Sequence, residues 1–412
     1  MWSLFPEKAL CLMLSFLCLT ALSGKASRAA DWSFTPGIEV SEEYNDNVLF
    51  TESVILEDFV TRIKPKMHLL GKTEQTQLQL DSTVIGEKYY EYGHLDTINT
   101  DNKASLDRRW SPKFLTVLAG TFRKDEILET ELERAGLAGV RKDRYRYGFD
   151  LSGTYILSDV LSLTMDGGGT FSYYPDGPYP DLDLWQISVN PVWAINLRDS
   201  TGLFINYYDA DYEDASTIRT FAGSLYWRRD LSDTAYFVLG AGYRYTWTRY
   251  GVQDIWLSID PDTGSFVLEP AEERQTREDD GFIFNFELNN DWTDRFSTVV
   301  SAGREHYDAI DARGINRNYI RTTLKYRLSE TVSGNCQLGY DTTTEDGPAG
   351  EDTDYVRVAP YLSWRLTRNL SLRFGGSYEY SQEETEYNNY NRDRFKGWVS
   401  ISFNYPRLLA NH

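Results

Sequence analysis

Residues 319–340 read Y-I-R-T-T-L-K-Y-R-L-S-E-T-V-S-G-N-C-Q-L-G-Y, from Tyr319 to Tyr340. Ile320, Thr322, Leu324, Tyr326 and Leu328 form one alternate set, and Tyr319, Arg321, Thr323, Lys325 and Arg327 form the other. After the polar break at Ser329-Glu330 the alternation resumes as Val332, Gly334, Cys336, Leu338, Tyr340 against Ser333, Asn335, Gln337, Gly339. Side chains on a strand point to opposite faces with period two, so this is a hairpin with one apolar and one polar face. An apolar face of this kind is buried against a second sheet in a soluble sandwich. In a transmembrane barrel it meets lipid, and the charged face lines a lumen.

Recurrence along the chain decides between the two. Tyr145, Tyr147, Phe149 and Leu151 alternate with Arg144, Arg146, Asp150 and Ser152, and Trp185, Ile187 and Val189 alternate with Gln186, Ser188 and Asn190. Tight turns at Gly71-Lys72-Thr73, Ser111-Pro112, Ser158-Asp159, Arg198-Asp199-Ser200, Ser232-Asp233, Thr293-Asp294, Ser329-Glu330 and Thr367-Arg368-Asn369 separate such strands. Between them lie longer polar stretches, including a charged loop over Arg123–Lys142 and an insertion over Tyr250–Asp280. That insertion holds its own expected hairpin, Trp256–Ile259 against Ser265–Leu268. Short turns on one side and long loops on the other are the asymmetry of outer-membrane barrels. Eight short turns and nine longer connections predict an all-β, antiparallel, up-and-down transmembrane barrel of about 18 strands. Both ends of the barrel then lie in the periplasm, and a barrel this wide encloses water.

Lys8 precedes an apolar run from Ala9 to Leu22, and small residues follow to Ala30. A positive start, a short apolar stretch and a small-residue exit predict a secretory signal over residues 1–29, leaving residues 30–412 as the barrel with a short periplasmic C-terminal tail from Pro406. Cys11 and Cys18 would leave with the signal, so Cys336 remains alone and no disulfide forms within the barrel. Acidic residues outnumber basic ones 62 to 42, which excludes the basic footprint of a nucleic-acid binder. Tyr (29) outnumbers Phe (20) and Trp (11), as suits rings placed where apolar meets wet.

No catalytic motif is present: the four histidines are His68, His94, His306 and His412, with no nucleophile placed beside them by spacing. A non-enzyme without cofactor or resident metal is expected. Asp260-x-Asp262-x-Gly264 and the cluster Glu42, Glu43, Asp46 carry oxygen ligands of the type calcium takes, but read more simply as a turn and a solvated rim. Gly240-Ala241-Gly242 and Gly167-Gly168-Gly169 lie inside strand patterns, where glycines ease curvature or ring packing.

The inner face is more informative. Arg62, Lys64, Lys66, Arg144, Arg146, Arg321, Lys325, Arg327, Arg357, Arg365, Arg373, Arg394 and Lys396 all fall on it by alternation. Basic rings bias a pore toward anions, unless they pair with inner carboxylates such as Asp81, Glu87, Asp150, Asp166, Glu287 and Glu379 and simply hold the wall. Tyr319, Tyr355, Tyr361 and Trp398 share that face and are candidates for stacking on sugar rings.

The opening phrase Phe34-Thr35-Pro36-Gly37-Ile38-Glu39-Val40-Ser41-Glu42-Glu43-Tyr44-Asn45-Asp46-Asn47-Val48 resembles the first strand of the β-barrel porin 2 family. That resemblance implies an outer-membrane channel that passes a secreted exopolysaccharide, with periplasmic export partners. Periodicity by itself implies only a wet barrel among outer-membrane lipid and lipopolysaccharide. The alternative is a general or anion-leaning porin for small solutes, with a long loop folded inward as a constriction. The Tyr250–Asp280 insertion is the expected source of such a loop, and a structural barrel with a blocked lumen is the third reading.

Overall fold

The computed structural model describes residues 31–135, 141–175, 179–213, 215–259, 266–308, 314–345, 351–385, 388–405 and 408–410. The signal segment 1–29 and the Asp260–Gly264 turn lie outside them.

Alternation produces strands in chain order: β1 (Asp31–Asn45), β2 (Asp58–Lys72), β3 (Thr76–Tyr89), β4 (Thr97–Ser111), β5 (Phe114–Glu126), β6 (Asp143–Ser158), β7 (Leu161–Tyr173), β8 (Leu182–Ala194) and β9 (Asp199–Tyr212). They continue as β10 (Ser216–Ser232), β11 (Ala235–Ile259), β12 (Phe266–Thr293), β13 (Phe296–Asp308), β14 (Gly314–Arg327), β15 (Val332–Glu345), β16 (Asp352–Arg365), β17 (Leu370–Glu384) and β18 (Asn389–Asn404). Each pairs antiparallel with the next, and β18 returns to β1 from Gly37↔Asn404 to Asn45↔Lys396. The result is one closed sheet of 18 strands. Closure gives each of the 18 strands a paired neighbour on both sides, which lipid demands because it offers backbone groups no hydrogen bond.

The faces follow the sequence pattern. Ile320 is 48% exposed on the outside and Leu225 61%, and Ile63, Trp185, Phe395 and Ile401 join the same outward apolar band. Arg394 and Ser400, alternating with Phe395 and Ile401 on β18, are buried inside. The apolar rows therefore face outward rather than meeting in a dry middle. Among the described residues no helix is long and apolar enough to cross a membrane.

Register shifts at Arg109/Ser111, Ile156/Ser158, Asp230/Ser232 and Asp291/Thr293 each fall just before a short turn. An extra residue there sharpens the twist into the reversal. Several of the long polar connections are shorter than the sequence suggests, because the strands run on past the apolar band. Asp209–Ser216 is mostly β9 and β10, joined through residues 213–215. The Tyr250–Asp280 insertion is likewise two strands in an unbroken ladder, from Ala235↔Asn290 to Ile259↔Phe266. Its expected hairpin is present, as an extension of the barrel strands themselves.

One expectation is corrected. The charged loop Arg123–Lys142 begins as the end of β5 and then forms a helix, α1 (Ile127–Ala135). Within the C-terminal tail, Leu408–Ala410 forms a short strand, β19, on Trp32–Phe34 at the start of β1.

Candidate constriction in the barrel lumen

The helix α1 contains I-L-E-T-E-L-E-R-A, with Leu128 and Leu132 four residues apart on one face and acidic residues around them. Thr130 bonds back through Oγ1 to the Glu126 carbonyl at 2.9 Å and to Asp125 Oδ2 at 3.1 Å. The Ile127 N–H donates to the Lys142 carbonyl, closing the two feet of the loop. At about 1.5 Å per residue, nine residues make a helix roughly 13 Å long, too short to persist alone in water. Packing must hold it.

It is held against the inner wall. Leu128 and Leu132 form a buried cluster with Phe50 of the β1–β2 connection and Tyr355 of β16. Phe50 adopts a φ of 50°, the left-handed region disfavoured for a bulky residue, and its burial under α1 offsets that local cost. The Arg394 guanidinium lies 5.0 Å over the Phe50 ring. Asn47 secures the same connection by donating from Nδ2 to the carbonyls of Thr51 and Asp393.

Charges complete the attachment. Arg394 Nη1 donates to Glu129 Oε1 at 2.7 Å, and Lys396 Nζ donates to Glu129 Oε2 at 2.9 Å. Arg394 is 1% exposed and also donates from Nε to Glu379 Oε2 at 2.8 Å. On the near wall Arg144 donates to Glu131 Oε1 at 3.0 Å and forms a two-pronged pair with Asp125, each bond 3.0 Å. Arg146 shares that Asp125 at 2.7 Å. Burial alone would raise the Glu129 carboxyl, but the cations Arg394 and Lys396 carry it well below the usual carboxylate range. The returning chain is tied in turn, with Arg141 paired to Glu126 and lying 4.8 Å over the Tyr89 ring of β3.

Most of the predicted basic face is therefore consumed by pairing. Arg62 bridges Glu43 and Glu87, while Lys66 and Arg373 each meet Glu39 Oε2 at 2.7 Å with Lys64 3.7 Å from Oε1. Arg357 approaches Glu379 at 3.5 Å, and Arg321 approaches Asp341 at 3.5 Å. Of the expected carboxylate partners, Glu87 and Glu379 serve these arginines. Asp81 instead faces His68, Asp166 accepts from Ser188, and Glu287 accepts from Tyr236. Glu39, Glu43, Asp125, Glu129, Glu131 and Asp341 do much of the work unforeseen. Among the described residues, those of the predicted basic face without an ion pair lie near the short turns: Lys325 and Arg327 are exposed, and Arg365 donates to the Glu330 carbonyl.

The aromatic candidates divide. Tyr355 is 2% exposed beneath α1 and cannot stack on a solute, a correction to the sequence reading. Tyr361 and Trp398 pair with ring centroids 6.1 Å apart. Tyr319 stands on β14, with Arg317 and Arg321 beside its ring at 4.7 and 5.8 Å, so the four do not form one track. Glu42 and Glu43 are adjacent on β1 and point to opposite faces, which removes the acidic calcium cluster, and no metal-ligand group occurs among the described residues.

No protein-family model and no curated protein matches the chain. Among solved structures it is similar to the outer membrane protein OpdK from Pseudomonas aeruginosa, at 11% identity over 90% of this chain and 99% of that one, with a TM-score of 0.44. It is similar to OccK2 (OpdF) from the same bacterium at 10% identity, over 90% of this chain and 97% of that one, with a TM-score of 0.43. The ferric-catecholate import receptor Fiu from E. coli K12 is similar at 9% identity, over 90% of this chain and 81% of that one, with a TM-score of 0.45.

Proposed function

We propose that this protein is an outer-membrane channel, seated among lipid and lipopolysaccharide with both termini in the periplasm, that passes small polar solutes through a lumen narrowed by α1. Residues 1–29 serve in this reading as its secretion signal. One observation carries it: a helix leaving β5 is fixed to β16 and β18 by Leu128, Leu132 and Glu129, inside a barrel whose outer face is apolar. A wide aqueous barrel with a segment bound into its interior is a size filter. The basic residues near the short turns, Lys325, Arg327 and Arg365, add an anion-leaning mouth.

Export of a secreted polysaccharide, which the resemblance of the first strand implies, calls for a conduit open along its length. The bound helix favours the small-solute reading over it. The two separate in one pair of measurements. Reconstituted protein in planar bilayers should give discrete conductance steps, and liposomes carrying it should swell in small sugars and amino acids but not in oligosaccharides. Silent bilayers would sink the channel. Loss of surface polymer on deleting the protein, with no effect on small-solute uptake, would reinstate export.

A further inference from the structure

The wall across from α1 contains a recess of about 310 Å³ between β9 and β14, at the lower bound of the ~300–1,000 Å³ typical of small-molecule sites. Phe204, Tyr208 and Tyr319 contribute rings to it, and Asn206 and Asn285 contribute amides. From this geometry we infer that the recess is a binding subsite for an uncharged, hydroxylated ring, of which a neutral pyranose sugar is the simplest example. The inference rests on the channel reading and specifies what such a channel would hold in passage.

Glycines on the neighbouring strands make room for two of the lining side chains. A Cβ on Gly303 would come within 2.8 Å of the Tyr319 hydroxyl oxygen and 2.9 Å of its ring. One on Gly240 would clash with Asn285 Oδ1. The Tyr319 ring and the Asn285 amide thus occupy space that a side chain at Gly303 or Gly240 would take, which fixes where both stand at the recess.

The lumen-facing charges at the recess, Arg244 and Glu305, are already matched, while Arg304 alternates with Glu305 on β13 and pairs across from the outward Phe284. Arg244 is 3% exposed, donates to Thr246 Oγ1 at 3.1 Å and Asn316 Oδ1 at 2.8 Å, and is paired with Asp279. Glu305 accepts from Arg317 Nη1 at 2.7 Å. An ionic solute would have to break one of these pairs and leave a confined charge uncompensated, which is costly. A neutral polyol meets no such penalty. The Asn206 and Asn285 amides both donate and accept, as hydroxyls do, and the aromatic faces accommodate the apolar C–H face of a sugar ring.

Position brings the recess and the helix to a similar level of the barrel. Tyr319 stands eight residues up β14 from its turn end at Arg327, and Lys396, which holds α1, stands eight residues up β18 from Asn404. The helix occupies the β16–β18–β1 side at that height, so solute is directed along β9–β14.

The test uses the full chain in planar bilayers with glucose as probe and sorbitol, an acyclic polyol, as comparison. Glucose is expected to produce concentration-dependent current noise or partial block, and sorbitol much less. Tyr319→Ala and Asn285→Ala should each weaken the glucose effect, normalised to each variant's own open-channel current, about three- to tenfold, the range lost with one ring contact or hydrogen bond. Ala222→Phe, which enters the recess from a lining position, should abolish it. If Ala222→Phe fails to fold, the two alanine variants still decide. Indistinguishable responses to glucose and sorbitol, or an unchanged glucose effect in both alanine variants, would overturn the subsite and leave the channel standing. Absence of conductance altogether would remove both.

Discussion

The Glu129 carboxylate accepts a 2.7 Å hydrogen bond from Arg394 across 265 residues of sequence. Glu129 sits on a helix that leaves the barrel after β5, and Arg394 sits on β18, beside the closing seam with β1. The bond therefore ties a loop to a wall five strands away around the ring. Arg394 meets it from a nearly dry position, whereas the Glu129 side chain keeps 36% of its surface exposed to the lumen.

Removing the charge at position 129 should loosen the helix without unfolding the barrel. Glu129→Gln keeps the shape and loses the ionic part of the bonds to Arg394 and Lys396, about 1 kcal/mol for a pair this exposed. Single-channel recordings should show larger or noisier conductance, with an unchanged heat-modifiable gel shift. A variant indistinguishable from the parent would mean that Leu128 and Leu132 hold α1 unaided.

Arg394 is expected to matter more to stability than to conductance. Arg394→Met leaves the buried Glu379 with only the longer contact to Arg357 at 3.5 Å and removes the cation stacked over Phe50, so a loss approaching roughly 3–5 kcal/mol is expected. Urea unfolding in detergent micelles measures it. Glu379→Gln added to that variant should restore part of the loss, because the uncompensated charge then disappears.

Acidity should release the helix only late. The Glu129 carboxyl has a lower pKa docked than free, so docking gains from ionisation above the ordinary carboxylate value of about 4.3 and loses that gain as pH falls through the depressed docked value. Conductance is expected to stay flat from about pH 8 to 5 and to rise only below the ordinary carboxylate range. A rise already between about pH 7 and 6 would show that a different group controls α1.

Inside and outside can be checked with one pair of arginines. Leu225→Arg places a charge in the lipid-facing band and should cost about 2–4 kcal/mol if near the bilayer midplane. Thr323→Arg points into the lumen and should leave unfolding in micelles nearly unchanged. Equal effects would contradict the assignment of faces.

Strand positions were readable because alternation is a local property. Ile320 and Arg321 must face opposite ways whatever else the chain does. The same rule separates Glu42 from Glu43, so the calcium cluster could have been dismissed from spacing alone. The inward helix left a fainter trace. Leu128 and Leu132 stand at helical spacing in a stretch free of Gly and Pro from Arg123 to Ala135, and that pattern was legible within the charged loop. Composition pointed instead to the longer Tyr250–Asp280 insertion, which continues the ladder of β11 and β12. Nothing in the neighbourhood of Tyr355 signals that a helix from β5 will cover it.

Sequence alone determined the closed antiparallel barrel, its strand number and the side to which each strand residue points, since all three follow from period-two patterning and turn spacing. Only the tertiary structure decided which inner charges neutralise one another, which aromatic rings stay open to solute, and which loop enters the lumen. Those outcomes depend on ring closure and inter-strand register, which bring residues such as Glu129 and Arg394 to the same height on the wall from distant parts of the chain.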